Sequence, residues 1–205
     1  GETKEMNVVL NKESILMNQV VVSANKYETK KREASNIVNV ISPKIFESTA
    51  SNIVSDVLDY QTGVRVEMSC SNCGVPQLRI NGLEGQYTQL LMDSRPIFSS
   101  LASVYGLEQI PAGMVDRVEV VRGGGSALYG SNAIGGVVNI ITKEPVRNSL
   151  NISNNTQVIG GKAWDNNTNL NGSFVSSDSK IGVFLFGVLR QRQAYDHDAD
   201  GFSEI

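Results

Sequence analysis

A chain of 205 residues with 40% hydrophobic content and a formal net charge of −3 is long enough for one or two packed domains. Its 18 Lys and Arg against 21 Asp and Glu leave no basic excess, which excludes a nucleic-acid partner tracked by its phosphates; the one basic cluster, Lys26, Lys30, Lys31 and Arg32, reads as a solvated segment. No apolar run approaches the ~20 residues of a membrane-spanning helix, and Gly1-Glu2-Thr3-Lys4 carries no signal-peptide pattern and reads as an internal or mature start.

Residues 1–35 read as loosely organised, with a short apolar patch at 6–10 and an edge-strand candidate at Val20, Val21 and Val22. Residues 37–41 then predict a strand. Ser42 caps a helix with Pro43 at its first position. Ile45, Phe46, Ile53, Val54, Val57 and Leu58 form a helical stripe, interrupted near Ser48 and Thr49, that belongs to the core. Gly63 stops it, and 64–67 alternates as a strand.

Cys70 and Cys73 are the only cysteines. A zinc site needs four ligands, and the single histidine, His197, lies far downstream. A thioredoxin-type motif needs a helix at the first cysteine, whereas Gly74-Val75-Pro76 follows the pair. A local disulfide or two free thiols remain. Residues 77–82 and 89–93 predict two strands joined by a polar, glycine-bearing turn at 83–88. Arg95 to Phe98 leads into a loop in which Phe98, Leu101, Val104 and Tyr105 either pack or are presented to a ligand.

The most informative stretch is 115–142. Residues 115–121 alternate Val with Asp, Arg and Glu, the period of a half-buried strand. Gly123, Gly124 and Gly125 make a tight turn, Ser126 caps a helix through Tyr129, and Gly130 ends it. Gly135 and Gly136 precede the β-branched run 137–141, a buried strand. A phosphate-binding loop would end in Gly-Lys-Ser/Thr, but Ser126-Ala127-Leu128-Tyr129-Gly130 stands there, and a dinucleotide fold would want a long helix next.

Beyond Thr142, Lys143-Glu144-Pro145 breaks the pattern, and 150–153, 168–175 and 181–189 run as alternating or continuously apolar strands. They suit the first strands of a membrane β-barrel, with a tight turn at 176–179 and a longer segment after Tyr195. Asp196, Asp198 and Asp200 before Gly201 alternate like a calcium loop, although no helices flank them and the twelfth EF-hand position lies past Ile205; a solvated acidic loop is the other reading. One histidine leaves no histidine-based triad and no carboxylate pair has an active-site setting, so no enzyme is expected. The expected fold is α+β: a small mixed sheet with short helices over 36–145, preceded by a flexible 1–35 and followed by antiparallel barrel strands over 146–205.

The ordered set Val118-Glu119-Val120-Val121-Arg122-Gly123, Ser126-Ala127-Leu128-Tyr129-Gly130 and 135–142 closely resembles the end of the plug domain of TonB-dependent outer-membrane receptors, with Gly124 where proline is usual. The resemblance implies an N-terminal fragment of a plugged barrel of about 22 strands, set in a lipid bilayer and importing an iron complex, haem or cobalamin rather than a glycan. The class alternative is a surface binding or adhesion module without transport. By the same resemblance Val20, Val21, Val22, Ser23 and Ala24 are similar to a TonB box, a mobile segment that joins the TonB complex by adding itself as a strand. Loops carrying Ser71, Asn72, Gln86, Tyr87, Phe98, Ser99 and Tyr105 would sit at the plug apex and touch a small metal-chelate or macrocyclic ligand. Ile80-Asn81-Gly82 and Met92-Asp93-Ser94 stand where the family has Ile-Arg-Gly and Ile-Asp-Gly, so Asn81 cannot make a plug-to-barrel ion pair there. Export favours a Cys70–Cys73 disulfide, some family members bind calcium in Asp-rich external loops, and open strand edges would promote self-association of the fragment.

Overall fold

The computed structural model describes residues 20–23, 27–49, 51–68, 76–97, 107, 110–124 and 126–198. A five-stranded sheet organises the first part: β3 (Val38–Ile41), β6 (Thr88–Met92), β7 (Arg95–Pro96), β8 (Val115–Arg122) and β9 (Gly136–Thr142) lie in the order β3-β8-β9-β6-β7. β6 and β9 run parallel and every other pair is antiparallel, so the sheet is mixed.

Both faces of this sheet are covered, which is why β8 and β9 carry so many β-branched residues. One face presents Val118, Val120, Val138, Ile140 and Leu90, and buries them with Ile41 against α1 (Pro43–Ser48), α2 (Val54–Leu58) and the hairpin of β4 (Val64–Met68) with β5 (Pro76–Ile80). The predicted helical stripe is therefore core, with Phe46, Val54, Val57 and Leu58 buried. Ser42 stands at the N-cap of α1 ahead of Pro43, but its side chain makes no capping bond. The other face presents Val38, Val121, Val137 and Leu91, packed with Ala133 and with Val21 from the N-terminal segment.

That segment enters as β1 (Val20–Val21), paired antiparallel with β2 (Thr29–Lys30). Its described residues 20–23 dock on the sheet, where Val21 is fully buried. The strands expected over 77–82 and 89–93 form as β5 and β6, and they lie in different sheets. Asn81 and Gly82 take left-handed backbone angles, φ 53° and 79°, and a 3-10 turn over Gly85–Tyr87 carries the chain from the two-stranded sheet to the larger one.

The glycines of 123–136 behave as their positions demand. Gly123, Gly124 and Gly130 have positive φ around the single-turn helix α3 (Ser126–Tyr129). Gly136 has φ 151°, and a Cβ there would collide with the Val121 carbonyl oxygen and lie 2.9 Å from Ile80 Cδ1. No side chain fits at that crossing.

After Lys143 the chain forms an antiparallel sheet of β10 (Ser149–Ile159), β11 (Ala163–Val175) and β12 (Gly182–Arg192). Strands of 11, 13 and 11 residues meet the length a tilted membrane strand requires, about 9–11 residues. One face carries Leu150, Ile152, Leu170, Phe174, Val183, Leu185 and Leu189, all exposed. The opposite face carries Asn151, Asn155, Asn167, Asn169, Asn171 and Asp165, and it is this amide-rich face that meets the plug. The apolar-outward, polar-inward alternation of a barrel wall holds for these residues, while Phe184, Phe186 and Val188 of β12 lie on the amide-rich face and Asn154, Asn166 and Thr168 on the apolar one. A crevice of about 450 Å³ separates α1 and the 3-10 turn Ala112–Met114 from this wall, lined by Phe46, Asn52, Lys143, Asn151, Asn169 and Asn171. Asp56 of α2 faces Arg190 of β12, which bonds Asp165 through Nε at 3.0 Å, so plug and wall are linked electrostatically at a position other than Asn81.

Gly136→Ala is expected to lower stability by about 3 kcal/mol, and Gly123→Ala, where a Cβ meets nothing within 4 Å, by less. Equilibrium urea unfolding of the two variants would show this order.

Candidate functional site

Glu119 lies in the middle of β8 with no exposure to solvent. In the sheet it stands directly opposite Asn139 of β9, which is also fully buried. Both side chains belong to the face under the N-terminal segment, among Val38, Leu91, Val121 and Val137. A carboxylate in such surroundings is costly unless its oxygens are hydrogen-bonded.

The N-terminal segment supplies most of those bonds. Glu119 Oε2 accepts the backbone N–H groups of Val22 and Ser23, both at 2.8 Å, and the Ser23 hydroxyl at 2.7 Å. Oε1 accepts Arg117 Nε at 2.9 Å, and Arg117 also reaches Asp116 at 2.9 Å. Ser23 is itself bound on further sides: its hydroxyl accepts Asn139 Nδ2 at 3.0 Å, and its carbonyl accepts the Tyr129 hydroxyl at 3.1 Å. Asn139 then extends the chain of bonds, donating to Ser94 Oγ at 3.2 Å and accepting the Ser94 N–H at 3.0 Å. Asp93, beside it in the β6–β7 turn, accepts the N–H and hydroxyl of Thr142 at 2.9 and 2.8 Å. Polar contacts thus join the N-terminal segment, the β6–β7 turn and the end of β9.

The electrostatics follow from the geometry. Burial opposes the Arg117 charge, but hydrogen bonds to Glu119 and Asp116 outweigh it and hold the guanidinium above its ordinary pKa. Burial, and then the negative charge of Glu119, push the Tyr129 phenol above its ordinary value. Burial likewise raises the Asp56 carboxyl, against the hydrogen bonds from the Asn52 and Ile53 backbone.

Of the sequence-predicted residues, Val22 and Ser23 bond Glu119, and Val20 and Val21 precede them as β1, paired with β2. Val20 stays partly exposed, while Val21 and Ser23 are buried. Gln86 and Tyr87 sit on the 3-10 turn ahead of β6, at the same sheet end as the Arg122–Gly136 pair and away from Thr142. Tyr87 is 38% exposed and Gln86 bonds Glu84 at 3.0 Å. Ala24, Cys70, Ser71, Asn72, Cys73, Phe98, Ser99, Tyr105 and Asp200 lie outside the described residues. Asp196 and Asp198 are described, beside the Tyr195 hydroxyl that meets His197 Nδ1 at 3.1 Å; among the described residues no three acidic, histidine or cysteine side chains converge as metal ligands.

Glu119 and Asn139 were not singled out by the sequence. The alternation of 115–121 assigned Glu119 to a solvent face, a correct period with the wrong neighbour. The available signal was Asn139, a polar residue inside the run Val137-Val138-Asn139-Ile140-Ile141.

Comparison with known proteins agrees with this geometry. Residues 30–137 match the family model of the TonB-dependent Receptor Plug Domain. The chain is 37% identical over 123 residues to the vitamin B12 transporter BtuB of Vibrio vulnificus strain CMCP6, covering 60% of this chain and 20% of that protein. It is 30% identical over 168 residues to BtuB of strain YJ016, covering 78% of this chain and 27% of the relative. Among solved structures it resembles the siderophore receptor PirA of Acinetobacter baumannii (TM-score 0.61, 27% identity, 80% of this chain and 26% of that one). It also resembles a mutant ferric enterobactin receptor, PfeA, of Pseudomonas aeruginosa (TM-score 0.64, 25% identity, 83% and 26%). The chain thus spans about a fifth to a quarter of the length of these proteins.

The Tyr129 shift gives docking a pH dependence. A phenol whose pKa is raised in the docked state keeps its proton longer there, so its contribution is intact below the free phenol value of 10.0 and is lost as pH rises through the docked value. Amide exchange at residues 22 and 23, corrected for its intrinsic pH dependence, is expected to lose protection above about pH 10, and Tyr129→Phe to remove that part of the change.

Proposed function

From the chain's membership of the TonB-dependent receptor plug family, a family of Gram-negative outer-membrane transporters and not of enzymes, we propose that it is the plug and first wall strands of a receptor importing a metal-chelate or macrocyclic nutrient, of the iron-complex, haem or cobalamin type. The observation that carries this reading is the docked N-terminal segment. A β-branched stretch, Val20 to Val22, lies against a plug whose other end continues directly into barrel wall. Its partner is the TonB complex, met at Val20, Val21, Val22, Ser23 and Ala24 by strand addition, in which main-chain hydrogen bonds give affinity and alternate side chains give register. Force applied there reaches β8 and β9 through Glu119 and Asn139, since those two side chains hold the segment.

Gln86 and Tyr87, the described residues expected to meet ligand, stand on the 3-10 turn at the Arg122–Gly136 end of the sheet, the end where Val21 packs on Val121, Val137 and Ala133. An exposed tyrosine on a rigid turn suits the flat or apolar surface of a chelate or macrocycle. Ligand binding shifts the segment only if its contacts differ between the docked and undocked plug. The names of relatives, a vitamin B12 transporter and ferric enterobactin and siderophore receptors, give the probes to use.

In the full-length receptor, deletion of residues 20–24 is expected to abolish energy-dependent uptake of cyanocobalamin, haem or ferric enterobactin, whichever the wild type accumulates, while surface binding of the same compound persists. Unchanged uptake would mean a surface binding or adhesion module without transport. For the 205-residue chain alone, the open edges of β10 and β12 should drive dimerisation or strand exchange. A mass from light scattering that stays monomeric across concentration would contradict this.

A further inference from the structure

The outward face of the three-stranded sheet is not apolar along its whole length. From the end that holds the 176–179 turn, the register stacks Leu150, Gly172 and Leu185, and then Ile152, Leu170 and Gly187. Asn154, Thr168 and Leu189 come next, followed by Thr156, Asn166 and Gln191, and then by Val158 and Trp164. A tilted strand needs roughly 9–11 residues to cross the hydrocarbon layer. The polar residues follow Leu150 too closely to lie beyond that layer, and they fall short of Trp164, a residue type that marks its border.

The hydrogen bonds of these polar residues suit that depth. Asn154, Thr156, Asn166 and Thr168 each bring their donors, two hydrogens on each amide and one on each hydroxyl. All of them are used inside the group. Asn154 Nδ2 donates to Asn166 Oδ1 at 3.2 Å and to Thr168 Oγ1 at 2.8 Å. Asn166 Nδ2 donates to Asn154 Oδ1 at 3.4 Å and to Thr156 Oγ1 at 2.6 Å. The Thr156 hydroxyl donates to Asn154 Oδ1 at 3.1 Å, and the Thr168 hydroxyl to Asn166 Oδ1 at 3.5 Å. Each amide oxygen thus accepts two hydrogens, and each hydroxyl oxygen keeps one lone pair unfilled.

A cluster that holds every donor inside can face hydrocarbon without the cost of an unmade bond. What it still offers is acceptor capacity only. A second copy of the same face could not bond to it, nor could a carbonyl or phosphate oxygen; its partner must bring a hydrogen. Beside the cluster, Gly187 stands opposite Leu170, between Leu185 and Leu189 along the same face, and a Cβ there would meet nothing within 4 Å. The missing side chain leaves a furrow in the apolar face next to Thr168.

We propose that Asn154, Thr156, Asn166 and Thr168 form a lipid site: an acyl chain lies over Gly187 and its hydroxyl group donates to a threonine oxygen, so the wall selects membrane lipids with hydroxylated acyl chains. The proposal rests on β10, β11 and β12 being lipid-facing wall, and is independent of what the receptor imports.

The test equilibrates the purified full-length receptor with equal amounts of dimyristoyl phosphatidylcholine and its analogue bearing 3-hydroxymyristoyl chains, and counts retained lipid by native mass spectrometry. The wild type should retain the hydroxylated lipid about two- to tenfold over the plain one, the effect of one neutral hydrogen bond. Gly187→Leu fills the furrow and leaves the cluster intact, and should bring the ratio toward one. The joint replacement Asn154→Leu, Thr156→Val, Asn166→Leu and Thr168→Val should do the same, and a lipid-facing surface accommodates it. Equal retention by the wild type, or a preference that survives the joint replacement, would overturn the proposal. Nitroxide labels at Leu150→Cys and Leu189→Cys, in lipid nanodiscs, give the depth: both should be open to oxygen and shielded from a water-soluble nickel chelate. A label at 189 in water with that at 150 in lipid would put the cluster at the membrane border and overturn the proposal alone. Both labels in water would remove the wall reading with it.

Discussion

A carboxylate buried in the middle of a β-sheet is the constraint on which the rest of this structure turns. Glu119 has no contact with solvent, and three of the bonds to its Oε2 come from a segment almost a hundred residues earlier in the chain. Removing that segment would leave a charged group on an apolar face with Arg117 as its remaining strong partner. Hydrophobic burial adds to this, because Val21 covers Val38, Leu91, Val121 and Val137. The N-terminal segment is thus part of the plug core while docked, although in sequence it lies outside the plug.

The two faces of the sheet carry different kinds of adhesion. The face toward α1, α2 and the β4–β5 hairpin is predominantly apolar and held by close packing, with Asn39 and Thr88 among its polar members. The face toward the N-terminal segment mixes four aliphatic residues with Glu119 and Asn139. Its adhesion is directional and can be undone by withdrawing one short segment. Beyond the plug, the wall presents amides and an Asp165–Arg190 pair, with a polar crevice between. Contacts of that kind exchange readily with water, whereas the sheet interior does not. The stability of the plug therefore grades from a fixed apolar side to two polar boundaries that can be remade.

Much of this fold was legible in the sequence because local patterns agreed with tertiary context. The run 115–142, with its glycines at 123, 124, 130 and 136, shows strand, turn, short helix and strand as read, and Gly136 is required by the closeness of the Val121 carbonyl. The helical stripe from Ile45 to Leu58 was split at the predicted interruption, and its apolar face is buried. The strands expected over 150–153, 168–175 and 181–189 form as β10, β11 and β12 of one antiparallel sheet. Pairing was not legible: the strands read over 77–82 and 89–93 are joined by a short polar turn, yet the positive φ of Asn81 and Gly82 sends the chain into a second sheet. Period alone does not name a partner.

The missed site shows the same limit in sharper form. Glu119 obeys the alternation that predicts a half-exposed strand, and no local feature tells a solvent face from one covered by a distant segment. Two buried polar residues placed opposite each other across β8 and β9 make sense only once Ser23 stands between them. An aliphatic residue at 119 would have covered the face at lower desolvation cost, since well-packed apolar replacements of buried charges are often as stable or more so. Such a face would hold any apolar segment in any register. A carboxylate that takes two adjacent N–H groups and a hydroxyl accepts one register, so the buried charge makes the docking specific.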